Sequence, residues 1–421
     1  MMEPSMWAVS TRQKAARRAS MKSETGKKYL TTLLSVLAAI AVICSIHYVA
    51  YGNHENGFLK IGFVYVGDAS TAYTSNFMKA QTEIEKLYAE NVETTARYNV
   101  SEDSVDAVLE ELVDAGCGLI FTTSYGYGEK TKECAEQHPD VQFCQATCSN
   151  ANEDPLLPNY HTFMGSIYQG KYLCGVVAGM KLKELIAEGR ITPEQAKIGY
   201  VGAYPSAEVI SDYTAFLLGA RTEVPDAVMT VKYANTWTNY HLEKKLAKEL
   251  IDEGCVVISQ ETDTSGPAAA CEESKSSQEV YYVSYNESMR DIAPTTYLIG
   301  TRFNWAPYMT AAAQAVLEGK DIEECVEATV HGNDAGAGFE QEWVQLLELN
   351  AYSAAEGTEE RIEELVKGFK EDSVQVFYGD YTGTNPDDPS DTIDLREEYH
   401  ESENCSAPTF HYVLDEVITI Q

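Results

Sequence analysis

From Phe58 onward, short apolar runs alternate with stretches in which apolar residues recur every three or four positions. The first such unit is Phe58–Leu87. Ile61, Phe63, Val64, Tyr65 and Val66 form a run rich in β-branched and aromatic side chains, the pattern of a central parallel strand. Gly67-Asp68 breaks the run, and Thr74 and Ser75 are candidate N-caps for a helix. Phe77, Ala80, Ile84, Leu87 and Tyr88 then fall on one helical face, with Lys79, Glu83, Glu85 and Lys86 on the other.

The unit repeats. Strands expected over 92–98, 118–122 and 141–146, separated by a helix opening at Ser101 and another ending near His138, give β-α-β-α-β. A strand at 160–166 and a helix at 168–186 come next. The pattern restarts at KIGYVG (197–202), which echoes KIGFV (60–64). Strands at 228–233, 255–260, 280–284 and 297–301 are set among helices at 207–221 and 241–253 and one ending at Leu317. ELIDEGCVVIS (249–259) matches ELVDAGCGLIF (111–121) closely, so two similar half-domains are predicted. The glycine-rich GNDAGAGF (332–339) lacks the strand-into-helix setting of a dinucleotide fingerprint and reads as a connection between lobes. The remainder predicts a helix at 359–369, a strand at 374–378, and a solvated acidic loop, rather than a cation site, at 385–403. At 421 residues the chain exceeds one ordinary core, which also argues for two domains.

Charge changes the picture at the N-terminus. Residues 1–28 carry seven Lys/Arg against two Glu, a net +5, so the remainder carries −39 against −34 for the whole chain. Such an acidic body repels phosphate backbones, and nucleic acid is a poor partner. Tyr29–Tyr51 holds no charged residue and spans ~34 Å as a helix, enough for a bilayer core. Lys27-Lys28 before it place the N-terminus in the cytosol and the acidic body outside. A retained anchor, a cleaved signal peptide and lipid attachment at Cys44 all export the body. Retention is favoured by length. Cleavage is weakened by the lack of an A-x-A site, and lipidation by Ile43 where a small residue is wanted. The expected location is therefore the cell membrane, with the body on the extracytoplasmic side. Ten cysteines include no C-x-x-C pair, which disfavours zinc and thioredoxin-type sites.

No G-x-S-x-G, P-loop or H-E-x-x-H motif is present, and the eight histidines are scattered. Neither catalysis, metal nor cofactor is expected. In open α/β sheets, ligands sit outside the carboxyl ends of the strands. The residues expected there are Asp68, Tyr73, Asn76, Phe77, Ser124, Tyr125, Tyr127, Asn150, Tyr204, Trp237, Asp263, Asn286, Asn304 and Trp305. Rings and neutral amides suit a flat, polar, mostly uncharged ligand, stacked between rings and read at its edges. The alternative for several of these rings is an ordinary core position.

FVYVGD…YT…F, GCGLIFTTSYGYGE, HPDVQF, GYVGAYPSAEVI, ANTW, ISQETDTSGPA and TRFNWAPY, in that order, resemble the basic membrane protein family, the purine-nucleoside-receptor-like substrate-binding proteins of bacterial ABC importers. The resemblance runs from Phe58 to the C-terminus. It implies a two-lobed α/β fold of the periplasmic-binding-protein type I kind, a hinge of crossing segments, and a purine base or nucleoside between the lobes. It divides the chain into 58–165 with about 297–331 as lobe 1, and about 166–296 with 332–421 as lobe 2 and hinge. On this resemblance Tyr73 takes a base-stacking position often held by Trp, and Phe77 one often held by His. Thr123, Ser124, Tyr125 and Tyr127 match the loop after the third strand, and Tyr204, Trp237, Asp263 and Trp305 match second-lobe and hinge positions. Asn286 stands where nucleoside-binding relatives have an Asp on the ribose, a change that removes charge assistance and favours a free base. The implied partners are a small-molecule ligand and ABC permease subunits. A membrane-tethered sensory receptor and a nucleoside-acting enzyme are the other classes considered.

Overall fold

The structure, a computed structural model, describes residues 58–421; the basic leader (1–28) and the apolar segment (29–51) lie outside the described residues. Among the described residues, no helix is long and apolar enough to cross a membrane.

The first lobe is built from β1 (Leu59–Val64), α1 (Ala72–Leu87), β2 (Val92–Arg97), α2 (Val105–Asp114), β3 (Leu119–Thr122), α3 (Gly128–Gln137), β4 (Gln142–Ala146) and β5 (Tyr160–Gly165). These five strands are parallel in the order β2-β1-β3-β4-β5. The second lobe continues with α4 (Ile167–Ala187), β6 (Lys197–Gly202), α5 (Ala207–Glu223), β7 (Val228–Tyr233), α6 (Tyr240–Asp252), β8 (Val257–Gln260), α7 (Gly266–Ser274), β9 (Tyr281–Tyr285) and β10 (Tyr297–Phe303). Its parallel order, β7-β6-β8-β9-β10, is the same winding.

The sequence echo has a packing cause. Gly62 on β1 leaves room for Leu112 and Ile120, and Gly199 on β6 leaves the same room for Leu250 and Ile258. Each preceding helix ends on a glycine in the left-handed region, Gly116 (φ 81°) and Gly254 (φ 91°), and then buries a cysteine, Cys117 or Cys255. A side chain in place of Gly62 or Gly199 meets core atoms at 3.0 and 2.7 Å.

The chain then returns to the first lobe with α8 (Ala306–Glu318), which packs on α1, where Tyr88 OH donates to Thr310 O (3.2 Å). β11 (Thr329–His331) and β12 (Asp334–Ala337) extend the first sheet beyond β5, and β13 (Val344–Leu346) pairs antiparallel with β10 in the second. The division expected from the resemblance is corrected here at two places. Residues 297–303 belong to the second sheet, because β10 hydrogen-bonds β9, and 334–337 belong to the first, because β12 pairs with β5. Only the part of the glycine-rich stretch after Ala337 crosses between lobes.

After α9 (Thr358–Lys370) the chain differs most from expectation. Residues 374–378 form no strand beyond a single bridge, Phe377 to Tyr399. The acidic stretch contributes β15 (Thr392–Asp394) to a small antiparallel sheet with β14 (Thr382–Thr384) and β16 (Val413–Leu414). β17 (Ile418–Ile420) adds a parallel edge to β7. Between these elements the tail touches both lobes. Ser406 N and Oγ donate to Asp334 on β12 (2.6 and 2.5 Å), while Ser211 Oγ on α5 donates to Glu401 Oε2 (3.0 Å).

Candidate functional site

Three segments cross between the lobes: Ser166 between β5 and α4, Asn304-Trp305 between β10 and α8, and 338–343 between β12 and β13. They are bonded together. Asn304 N donates to Trp343 O and its Nδ2 to Glu342 O, both at 2.8 Å, and Ser166 N donates to Ala337 O (2.8 Å). Asn304, expected to touch ligand, is instead committed to the hinge.

Trp305 is also a hinge residue. It lies flat between Phe77 of α1 (4.4 Å, 9°) and Phe303 of β10 (4.5 Å, 18°) and is 1% exposed. Both faces are taken, so neither is open to a ligand, and the same stack buries Phe77 fully. Tyr127 is corrected likewise: it is wholly buried in the first-lobe core, its OH donating to Val100 O (2.6 Å). Asp68 holds its own turn, accepting from Ser70 N (2.9 Å), Ser70 Oγ (2.6 Å) and Asn99 Nδ2 (3.0 Å), which lowers its carboxyl to about 2. The helix it precedes starts at Ala72, ahead of Thr74 and Ser75, with Thr71 as N-cap residue.

Away from the hinge, a pair of asparagines joins the lobes. Asn76 Nδ2 of α1 donates to Asn286 O (3.1 Å) and Oδ1 (3.2 Å), and Lys79 Nζ donates to Asn76 Oδ1 (3.0 Å). Asn286 sits in the left-handed region (φ 62°) at the carboxyl end of β9, a conformation asparagine tolerates better than most residues. Asn286 and Asn76 are thus each other's partners in this arrangement.

Beside that contact, groups from the two lobes face one another. Tyr73 OH donates to Thr123 O (2.6 Å), and its ring stands edge-on to Phe77 (5.1 Å, 73°). Burial, together with the carboxyls of Glu208 and Asp263 from the opposite lobe, pushes its phenol well above the usual range. On the second lobe Tyr204 and Trp237 form an edge-to-face pair (5.7 Å, 61°), 39% and 37% exposed. Asp263 N donates to Trp237 O (2.9 Å), which holds the acid beside the indole. Tyr125 is 74% exposed at the rim, and Ser124 Oγ donates to Glu102 Oε1 (3.3 Å). Asn150 Oδ1 accepts from Tyr160 OH (2.7 Å), behind the face. Of the predicted residues, then, Tyr73, Tyr204, Trp237 and Asp263 share the interlobe face.

Asp263 was named from the sequence, but the acids beside and behind it, Glu208, Asp212 and Glu261, were missed. Glu208, at the start of α5, is raised to about 8 and Asp263 to about 7, each chiefly by burial and then by neighbouring carboxylates. Deeper, Lys171 of α4 donates to Tyr200 OH (2.8 Å) and Gln260 O (2.9 Å), lies 3.9 Å over the Tyr285 ring, and faces Asp212 Oδ2 (3.8 Å) and Glu261 Oε2 (3.7 Å). Two buried carboxyls share one lysine, so burial and mutual repulsion keep a proton on the pair well above the carboxylate range. One signal was available in the sequence. Lys171 is the only charged residue in IYQGKYLCGVVAGM (167–180), and a cation on so apolar a helix needs a buried partner.

The family described as "ABC transporter substrate-binding protein PnrA-like" matches residues 58–367, nearly three quarters of the chain. The chain belongs to this family. Members of such transporter systems bind small-molecule solutes and deliver them to permease subunits. This PnrA-like protein is 31% identical over 268 residues to a purine-binding protein of Brucella abortus (strain 2308), covering 63% of this chain and 71% of that one. It is 29% identical over 314 residues to a putative ABC transporter glucose-binding protein of Haloferax volcanii, covering 74% of each. Among solved structures, an ABC transporter solute-binding protein from Aeropyrum pernix K1 superposes with a TM-score of 0.59 at 14% identity, covering 75% of this chain and 87% of the other. That likeness concerns the two-lobed fold alone.

Proposed function

We propose that this protein is the extracytoplasmic receptor of an ABC importer and that it holds a purine base or nucleoside between its lobes without chemical change. One observation carries the reading: the second lobe exposes the paired rings of Tyr204 and Trp237, and its carboxyls Glu208 and Asp263 act on the Tyr73 phenol of the first lobe. Rings hold the faces of a flat heterocycle, and carboxyls near their neutral midpoint both donate to ring nitrogens and accept from amino groups. Behind the rings, Glu261 and Asp263 also bear on Glu208, and Lys171 lies among these acids, so the site offers carboxyls rather than a cluster of cations for phosphates or dicarboxylates. The Brucella relative's purine name and the exportable N-terminal segment, basic residues followed by an uncharged run, support the same reading. Export would leave the body outside the membrane, where closure of the lobes on ligand presents one shape to a permease.

The name of the Haloferax relative supports a second reading, a hexose, whose hydroxyls the same acids would accept. Calorimetric titration separates the two. Adenine, guanine, hypoxanthine, their nucleosides, cytidine and glucose are titrated into ligand-stripped protein. At least one purine is expected to bind, unchanged on recovery, and Trp237→Ala to weaken it by roughly 1–3 kcal/mol, the loss of one stacked ring. Heat from glucose and none from any purine overturns the purine reading. A ligand recovered chemically altered overturns the receptor.

A further inference from the structure

We propose that Glu110, Cys134 and His138 form a three-ligand site for one zinc-type divalent ion on the outer surface of the first lobe. Cys134 lies in the last turns of α3, His138 is the residue that caps it, and Glu110 reaches them from α2. His138 Nε2 lies 3.0 Å from Glu110 Oε1 and 3.2 Å from Oε2, and Cys134 Sγ lies 3.9 Å from Glu110 Oε1. All three donor atoms fall within 4.8 Å of one another. An ion with bonds of ~2.3 Å to sulfur and ~2.0–2.1 Å to nitrogen and oxygen, arranged tetrahedrally, needs its donors about 3.3–3.7 Å apart. The triangle is therefore near the required size and closes by rotation of the Glu110 and His138 side chains onto the buried Cys134 sulfur.

The donor chemistry is matched as well. A thiolate, a carboxylate and a neutral imidazole together carry −2, which neutralises a divalent ion. Sulfur and nitrogen select a borderline-soft metal over calcium or magnesium, which prefer all-oxygen shells. Metal takes the place of the thiol proton, which leaves to solvent past Glu110 and His138, 49% and 28% exposed on their side chains. The same opening supplies water as a fourth ligand. The site sits at the carboxyl end of α3, where the helix dipole favours a cation, and His138 N closes that helix on Cys134 O (3.0 Å). The competing description is a plain Glu–His ion pair beside an inert buried thiol, which has no use for sulfur.

Cobalt separates the two descriptions, because thiolate coordination gives a charge-transfer band that oxygen and nitrogen ligands do not. The untagged full chain, stripped with chelator in detergent, is titrated with Co²⁺. One equivalent is expected to produce the band, Zn²⁺ to bleach it, and millimolar Mg²⁺ to leave it. Cys134→Ser is expected to abolish the band. His138→Ala and Glu110→Gln, at partly exposed positions, are expected to weaken Co²⁺ more than the ~10–100-fold typical of a lost outer-shell partner. Circular dichroism checks that each variant is folded. No band in the parent chain, an undiminished band in Cys134→Ser, or unchanged affinity in a folded His138→Ala overturns the proposal.

Discussion

Replacing Lys171 by Met is expected to lower the stability of the folded chain by about 3–5 kcal/mol at pH 8, the cost of removing one partner from a buried charge cluster. Methionine matches the length of the stem, so packing is nearly conserved and the loss is electrostatic. Lys171 is 1% exposed, and Asp212 and Glu261 are fully buried; neither oxygen of Asp212 has a hydrogen-bond partner. Without the ammonium the pair, which already keeps one proton, must take up a second to survive burial. This fixes the sign of the pH effect. Carboxyls whose folded affinity for protons exceeds the unfolded value contribute stability that is fully present below about pH 4 and is lost as the pH rises through the folded value. The deficit of the variant is therefore expected to shrink on going from pH 8 to pH 5. The parent chain has the same slope in weaker form, because Asp263 at about 7 and Glu208 at about 8 are raised in the same sense. Urea unfolding at the two pH values measures both effects, and Asp212→Asn added to the Lys171 variant is expected to recover part of the loss. A deficit below about 1 kcal/mol at pH 8, or one that grows towards pH 5, rules the account out.

Gly175→Ala is the second large effect, and it runs against helix propensity. Alanine is worth up to about 1 kcal/mol over glycine inside a helix. At this position, however, an added Cβ lies 1.9 Å from Phe216 O and 3.0 Å from Phe216 Cα on α5. The reverse contact is as close: a Cβ at Gly219 lies 2.0 Å from Tyr172 O, and one at Gly179 lies 2.5 Å from Ala220 O. These neighbours are backbone and have no rotamer to escape into. The helices must separate, and every side chain between them loses contact. The net loss is expected to reach or exceed the top of the ~1–3 kcal/mol range for an overpacked core. Gly219→Ala should behave alike, and the pair together should cost less than the sum, since one separation admits both methyls. Thermal melts of the three variants test this. A melting temperature equal to or above the parent's in either single variant removes the close-contact explanation.

Much of the architecture was legible because the two halves repeat the same packing solution. KIGFV and KIGYVG both put a glycine where a leucine and an isoleucine must pass, and both ELVDAGC and ELIDEGC end a helix on a left-handed glycine. Patterns that serve a shared core survive in the residues. The tail carries no such signal. Strands such as Thr382–Thr384 and Val413–Leu414 are too short to show alternation, and their partners lie far along the chain. Within the site, ring type alone did not separate roles. Trp305 and Trp237 look alike in sequence, yet one is clamped by Phe77 and Phe303 and the other pairs with Tyr204 while exposing over a third of its surface. The difference lies in tertiary neighbours. The acids Glu208, Asp212 and Glu261 were overlooked for the opposite reason. A carboxylate in a loop or on a helix is ordinarily solvated, and only folding brings two glutamates and an aspartate around one lysine.

The tail's two anchor points have a mechanical consequence. Glu401 is fastened to one lobe and Ser406 to the other, with four residues between them. So short a leash tolerates rotation about its own position but little translation. The tie therefore restrains sliding of the lobes at that edge more than it restrains their turning. A chain trimmed after α9 would lose that tie, and its two lobes would be free to slide as well as turn.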